Sequence, residues 1–301
     1  MPPYYLSMAS RILVSSLAFL VGGLALSADV LADGTLFPGT RPLGVGGAMR
    51  AVATGDSGPM LNPSGISLMR SYAVEGGYQY GKTLGSHDLR LSAVDSTSAF
   101  NLGGALYYTY HRDSPADGVT QTGHLVGGSL SFPFLDKIYV GANIKYVHFQ
   151  DAAEIKHTGF TFDTGLTVRP LPQLSLGAVA YNLRDLDTPW APRGYGGGVA
   201  ALPFPALLLV FDVVSTKVYG DPSRDQAVQY MGGGEFSLGN TAAIRAGGGH
   251  DGLARNGYVS AGITFLASDL GALDFGLRQD VSGEGKTTLI GVSARLFVPS
   301  Q

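Results

Sequence analysis

The sequence predicts an all-β fold, a 14-stranded antiparallel transmembrane β-barrel with a short N-terminal hatch, and three observations predict it. Between Tyr72 and Phe297, runs of about ten residues alternate apolar with small or polar side chains, and a turn closes each run. The connections alternate between compact turns and longer, charged loops. A leader of secretory type stands in front.

The leader comes first. Arg11 is followed by an apolar run from Ile12 to Leu26, and Val30-Leu31-Ala32 places modest or small residues at a cleavage site. Residues 1–32 therefore read as a signal peptide, with the mature chain beginning at Asp33. A membrane anchor is the rival reading, but the apolar run falls short of about 20 residues.

Composition supports a wall that meets lipid. The chain has 44 glycines, 15 tyrosines and 14 phenylalanines, and only 14% of its residues are charged. A soluble surface carries about 25–35%. The absence of cysteine excludes disulfides, thiolate chemistry and cysteine-ligated metal. A net charge of -3 gives no basic field for nucleic acid.

Residues 71–298 form the predicted barrel. Strands fall near 72–81, 87–96, 99–111, 120–132, 137–149, 157–169, 172–183, 194–202, 206–215, 226–237, 241–249, 257–266, 271–279 and 286–297. In 137–149, Ile138, Val140, Ala142, Ile144 and Tyr146 share one face, while Tyr139, Gly141, Asn143 and Lys145 share the other. The last run opposes Ile290, Val292, Ala294 and Leu296 to Gly291, Ser293 and Arg295 in the same way. A soluble β-sandwich also alternates, but it turns polar residues outward; here the charges travel with the small residues and the opposite face stays apolar. That phase puts Glu75, Arg90, Lys145, Asp163, Arg169, Glu235, Arg245, Asp274, Arg278 and Arg295 in the lumen. A basic side chain facing mid-bilayer would cost about 2–4 kcal/mol. Neutralising pairs and water are the expected lining. The run Ala206 to Val214 is apolar on both faces except at Asp212, so the lumen there is packed or greasy, with Leu208 and Val210 as lumen candidates.

Connections after even strands are compact, as at Pro170-Leu171 and Gly239-Asn240. Those after odd strands are often longer and charged, as from Arg112 to Val119, Arg184 to Arg193 and Lys217 to Asp225. Pro115 to Gly118 and Asp221-Pro222 carry good turn chemistry. Short turns belong in the periplasm and long loops outside, so both termini are periplasmic and the strand number is even. Fourteen fits, while twelve and sixteen remain compatible with the boundaries.

Residues 33–70 break the pattern. Gly46-Gly47 interrupts any long element, Asn62-Pro63 favours a turn, and Pro59 with Pro63 argues against a central strand. A barrel of this size leaves a lumen in which irregular backbone meets protein and water, so this segment is expected to fold inward as a hatch or to sit just under the mouth. The hatch residues singled out are Gly46, Gly47, Asn62, Pro63 and Gly65.

Those residues carry a resemblance. Gly39, Arg41, Gly44, Gly46, Gly47 and Ala48, followed by Asn62, Pro63 and Gly65, resemble the G-x-R-x-x-G-x-G-G-A stretch and N-P-A-G motif of FadL-like outer-membrane proteins, with Ser64 in place of alanine. That superfamily transports long-chain fatty acids and aromatic hydrocarbons. The resemblance implies fourteen strands, a hatch in the lumen and a lateral opening in the wall near the third strand, here Asn101 to Gly104 with the Gly103-Gly104 pair. It implies no cofactor. Two departures are visible: the chain is short, and its loops lack long apolar helical hairpins. Both features are similar to PorV-like relatives, barrels that bind partner proteins.

No catalytic or metal constellation is legible. None of His87, His111, His124, His148, His157 and His250 stands in a metal-ligand spacing such as H-E-x-x-H. The glycine runs 194–198 and 247–249 lack the Lys-Ser/Thr of a phosphate loop and lie in strands. The expected function is passive outer-membrane transport of small hydrophobic molecules, with membrane lipid and small apolar ligands as partners. The alternative is a structural subunit of an envelope secretion or motility assembly with protein partners. A general polar porin is a third reading, which a hatch would obstruct.

Overall fold

In the computed structural model, the residues described are 37–298 except 84, 99–101, 115–119, 136, 152–153, 220–222, 268–269 and 284–285. The leader, residues 33–36, Asn101 and the turn residues Pro115 to Gly118 and Asp221-Pro222 lie outside them.

Fourteen strands close into one antiparallel barrel. They are β1 (Tyr72–Gly81), β2 (Ser86–Asp95), β3 (Gly103–Asp113), β4 (Gln121–Leu135), β5 (Ile138–Gln150), β6 (Lys156–Leu171) and β7 (Leu174–Tyr181). The second half comprises β8 (Gly194–Phe204), β9 (Leu207–Lys217), β10 (Gln226–Leu238), β11 (Ala242–Asp251), β12 (Asn256–Ala267), β13 (Gly271–Asp280) and β14 (Thr288–Phe297). Each strand pairs with the next, and β1 closes the ring on β14 from Ala73–Phe297 to Gly81–Leu289. Closure gives every strand a neighbour on each side, as lipid requires. Among the described residues no helix is long and apolar enough to cross a membrane.

The outer face is the apolar face of the alternation. Leu106 is 72% exposed, Leu130 61%, Phe134 62% and Leu296 65%, exposures that only a lipid solvent tolerates over a whole wall. Tyr78, Tyr146, Tyr195 and Tyr230 are exposed near the loop end, and Tyr72, Phe132, Phe134 and Phe204 near the turn end. These are the two aromatic girdles of a membrane barrel.

One strand is shorter than its sequence pattern. The apolar run 172–183 yields β7 only over Leu174–Tyr181. Asn182 takes a left-handed φ of 49°, which asparagine tolerates, and its Nδ2 donates to Pro192 O at 2.7 Å. The upper half of β6 therefore loses its strand partner. Leu183 N still donates to Phe162 O at 2.8 Å before the chain turns inward.

The N-terminal segment fills the lumen as short turns: a helix at Thr40–Gly44, a 3-10 turn at Gly55–Ser57, a helical turn at Gly58–Leu61 and a 3-10 run at Pro63–Leu68. Pro59 and Pro63 sit in the first turn of their elements, where a missing N–H costs nothing. Phe37, Ala48, Met49, Ala53, Asn62 and Ser64 are at most 1% exposed. Wall glycines set the fit. A Cβ on Gly165 would stand 1.9 Å from Asn62 Oδ1, and one on Gly247 2.4 Å from the Val45 carbonyl carbon. The hatch thus rests directly on wall backbone.

Candidate functional site

The hatch is held by charge. Arg41 grips Glu235 with two bonds of 2.8 Å, and Arg245 reaches the same carboxylate at 2.6 Å. Arg245 continues to Asp274 at 3.1 Å; Arg295 bridges Asp274 at 3.8 Å, Glu75 at 2.6 Å and hatch Asp56 at 3.6 Å. Arg90 donates to the Asp56 carbonyl. Lumen candidates from six strands thus meet two hatch residues in one network of balanced charge. Mutual neutralisation is what makes these ions tolerable away from water. Lys145 pairs with Asp163 at 2.7 Å, and Arg278 with Asp251 and Asp280 at 3.2 Å each. Arg169 stands apart, at the turn-end mouth, where it donates to Pro172 O at 3.2 Å.

Each hatch-motif residue makes a close packing or hydrogen-bond contact, and Gly46 and Gly47 also line the cavity over the hatch. Gly46 has φ 77° and Gly47 φ 85°, a region that penalises any Cβ, and Gly46 also lies flush against Gly232 and Gly248. Asn62 Nδ2 donates to Arg50 O at 2.8 Å, while its Oδ1 accepts from Ser64 N at 3.2 Å and Ser64 Oγ at 2.7 Å. Pro63 packs over Gly141 of β5, and Gly65 leaves room for the Ala53 carbonyl.

Two anchors were not singled out in the sequence. Asp212, fully buried, accepts from Arg50 N at 2.9 Å and from the Arg50 guanidinium at 3.0 Å, and Arg50 Nε also donates to Tyr181 OH at 2.8 Å. The available signal was a lone acid in a strand apolar on both faces. Leu208 and Val210 face inward as expected but pack on Val45, Met49 and Leu61 of the hatch, which fills the greasy section.

The loop 182–193 folds into the lumen from the other end. Trp190 stacks on Phe149 at 4.8 Å and 5°, and lies 5.1 Å from His111. His111 is clasped by Asp88 at 2.7 Å and Asp113 at 3.1 Å. Lys217 ties the loop to the rim at 2.8 Å from Asp185. Partial burial works against the Asp185 charge, but hydrogen bonds from Lys217, Tyr219 and the Asp187 amide outweigh it and hold its pKa down at about 2.

Between loop and hatch lies a cavity of about 200 Å³. Met60, Leu61, Trp190, Val214, Met231 and Leu253 supply apolar surface, and Gln79, Gln229 and Arg278 a polar pole. Arg278 at this pole is paired with both Asp251 and Asp280.

In fold, the chain is similar to the monoaromatic hydrocarbon channel CymD, at 14% identity over 87% of this chain and 97% of that one, TM-score 0.68. It is similar to the Pseudomonas putida toluene transporter TodX at 9% identity, 90% and 98% coverage and TM-score 0.64. A Pseudomonas aeruginosa FadL homologue matches at 12% identity, 86% and 98% coverage and TM-score 0.64. The chain has a FadL-like fold. No protein-family profile and no curated protein matches it at the level of sequence.

Within that fold the third strand is paired on both sides. Gly104 lies opposite Asp95 of β2 and Leu130 of β4, and Gly103 opposite Ser131. The two glycines face opposite ways. A Cβ on Gly103 would meet hatch Ile66 at 2.7 Å, whereas Gly104 lines a hollow of about 790 Å³ on the outer wall with Leu106, Gly128, Leu130, Ala142 and Ile144. Among the described residues, no three or more His, Asp or Glu are grouped so as to hold a metal ion.

Proposed function

We propose that the chain is a barrel of a Gram-negative outer membrane that passes small hydrophobic molecules passively. The observation that carries this reading is the half-open cavity over the hatch. An apolar cavity of roughly 150 Å³ accepts benzene, so about 200 Å³ with one polar pole suits a single-ring aromatic or a molecule of similar size. The hydrocarbon channels that share the fold point the same way. Met231→Trp should fill the cavity and lower uptake of a radiolabelled single-ring hydrocarbon into proteoliposomes about tenfold, the penalty expected for a lost apolar site. Uptake equal to that of the unaltered barrel would sink the reading.

For the exit, the proposal is a transient parting of the wall in the region Asn101 to Gly104, of which Gly104 lines the outer hollow. Because β3 is paired on both sides, an exit at this place would need the two strands to part during passage. The chain has no cysteine, so Ala93→Cys with Leu106→Cys gives a clean cross-link between paired positions of β2 and β3. Uptake should fall on oxidation and return on reduction; indifference to oxidation places the exit elsewhere.

A specific observation favours a second reading. The hatch is pinned to the wall by a charge network, as suits a scaffold for envelope protein partners. Capture from solubilised native membrane decides: a stoichiometric protein partner supports the scaffold, and a lone barrel holding an apolar molecule supports the channel.

A further inference from the structure

The outer wall is not uniform around the barrel. At the loop end of β2–β6 the outward positions form two cross-strand rows. The upper row runs His87, Arg112, Thr122, Gln150, Lys156, and the lower Leu89, Tyr110, His124, His148, Thr158. Arg112 and Lys156 are exposed and have no ion-pair partner among the described residues. Each histidine uses one ring nitrogen on a neighbouring hydroxyl: His87 with Tyr78 at 2.6 Å, His124 with Tyr108 at 2.8 Å, and His148 with Thr158 at 2.8 Å. The hydroxyls fix the rings and leave the second nitrogen of each available. Elsewhere on the rim Lys217 is taken by Asp185, and Arg224 by the Gly252 and Leu253 carbonyls.

Beneath these rows the same strands carry the outer hollow. Small residues Gly104, Gly128 and Ala142 floor it, and Leu106, Leu130 and Ile144 stand around them. From Arg112 down to Leu106 is six residues, about 20 Å at strand rise, comparable with half of the roughly 30 Å hydrocarbon core. Arg112 and Lys156 are three strand spacings apart, about 14 Å. The outward side chains therefore pair two separated cations, without an ion-pair partner among the described residues, with an apolar trough in the direction of a lipid chain.

We infer that this face binds one lipid of the outer leaflet that carries two headgroup phosphates. One phosphate sits on Arg112 and the other on Lys156. Thr122, Gln150 and the histidines donate between them, and an acyl chain lies in the hollow floored by Gly128. A cation on an anionic surface gains by charge attraction, and the hollow gains by excluding a gap against the wall. The inference does not rest on transport: the same face would hold this lipid on a scaffold.

Native mass spectrometry of the mature barrel, released from detergent, tests it. The probes are a diphosphorylated, multiply acylated glucosamine disaccharide and its dephosphorylated form. The expected result is one retained diphosphorylated molecule, weakened about tenfold or more in R112E/K156E and weakened also in Gly128→Leu, which fills the hollow from outside. Lys137→Glu, at the turn end of the same wall, should leave retention unchanged. Should the double charge reversal fail to fold, R112Q/K156Q with heat-shifted gel mobility as the folding check replaces it. Equal retention of both probes, or equal retention by the folded charge variant, overturns the proposal.

Discussion

Replacing Asp212 with alanine is expected to unseat the hatch. The carboxylate receives both the backbone amide and the guanidinium of Arg50, and that side chain is about nine-tenths buried. Removing one member of a buried pair leaves the other charge uncompensated, at a cost of about 3–5 kcal/mol. The barrel itself should survive, because strand pairing on either side of Asp212 does not pass through its side chain. The loss therefore falls on the hatch. Trypsin added to the solubilised barrel should cut after Arg41 or Arg50 in D212A and spare them in the unaltered chain. Single-channel recordings in planar bilayers should show a conductance rise in the same variant. A D212A barrel that stays resistant to trypsin and closed to ions would show that the remaining network, from Arg41 to Asp56, holds the hatch without this pair.

Phe149→Ala is expected to release the loop plug. Trp190 stacks flat on Phe149, and the pair joins Tyr107, Leu125 and Val147 in a buried cluster. Truncating a buried phenylalanine costs about 3–5 kcal/mol, more than a loop held otherwise by a rim salt bridge and a few backbone contacts can absorb. Trp190 is the single tryptophan of the chain, so its fluorescence reports the loop and nothing else. Emission should move to longer wavelength and become quenchable by acrylamide in the variant. If the emission stays blue and protected, the loop is fixed by the Asp185 and Asn182 contacts at its neck and the stack is incidental.

These two results concern contacts of different legibility. The inward phase of Lys145, Asp163 and Arg245 follows from a period of two between unlike solvents, and local sequence carries it. The partner of each charge does not follow. Glu75 meets Arg295 across the closure of β1 on β14, and Arg41 meets Glu235 across most of the chain. Asp212 appeared only as an exception inside an apolar run, because its partner lies in a segment without periodicity. The loop from Arg184 to Arg193 read as a charged outer loop. Its signal was the lone tryptophan with Leu186 and Ala191, three apolar residues that water would not reward. Gly103-Gly104 was compatible with a bend and with flat pairing alike, since glycine takes either backbone; the register of β2, β3 and β4 selects flat pairing.

The sequence by itself determined the antiparallel barrel, the two unlike faces of most of its strands, and the segment that departs from the pattern. Its alternation reports a boundary condition that each residue meets locally. Tertiary structure decided what fills the lumen: which wall glycines receive hatch backbone, which acid holds Arg50, and that one loop turns inward over a cavity. Those are contacts between segments far apart in the chain, and their energies depend on distance and burial that no local pattern contains.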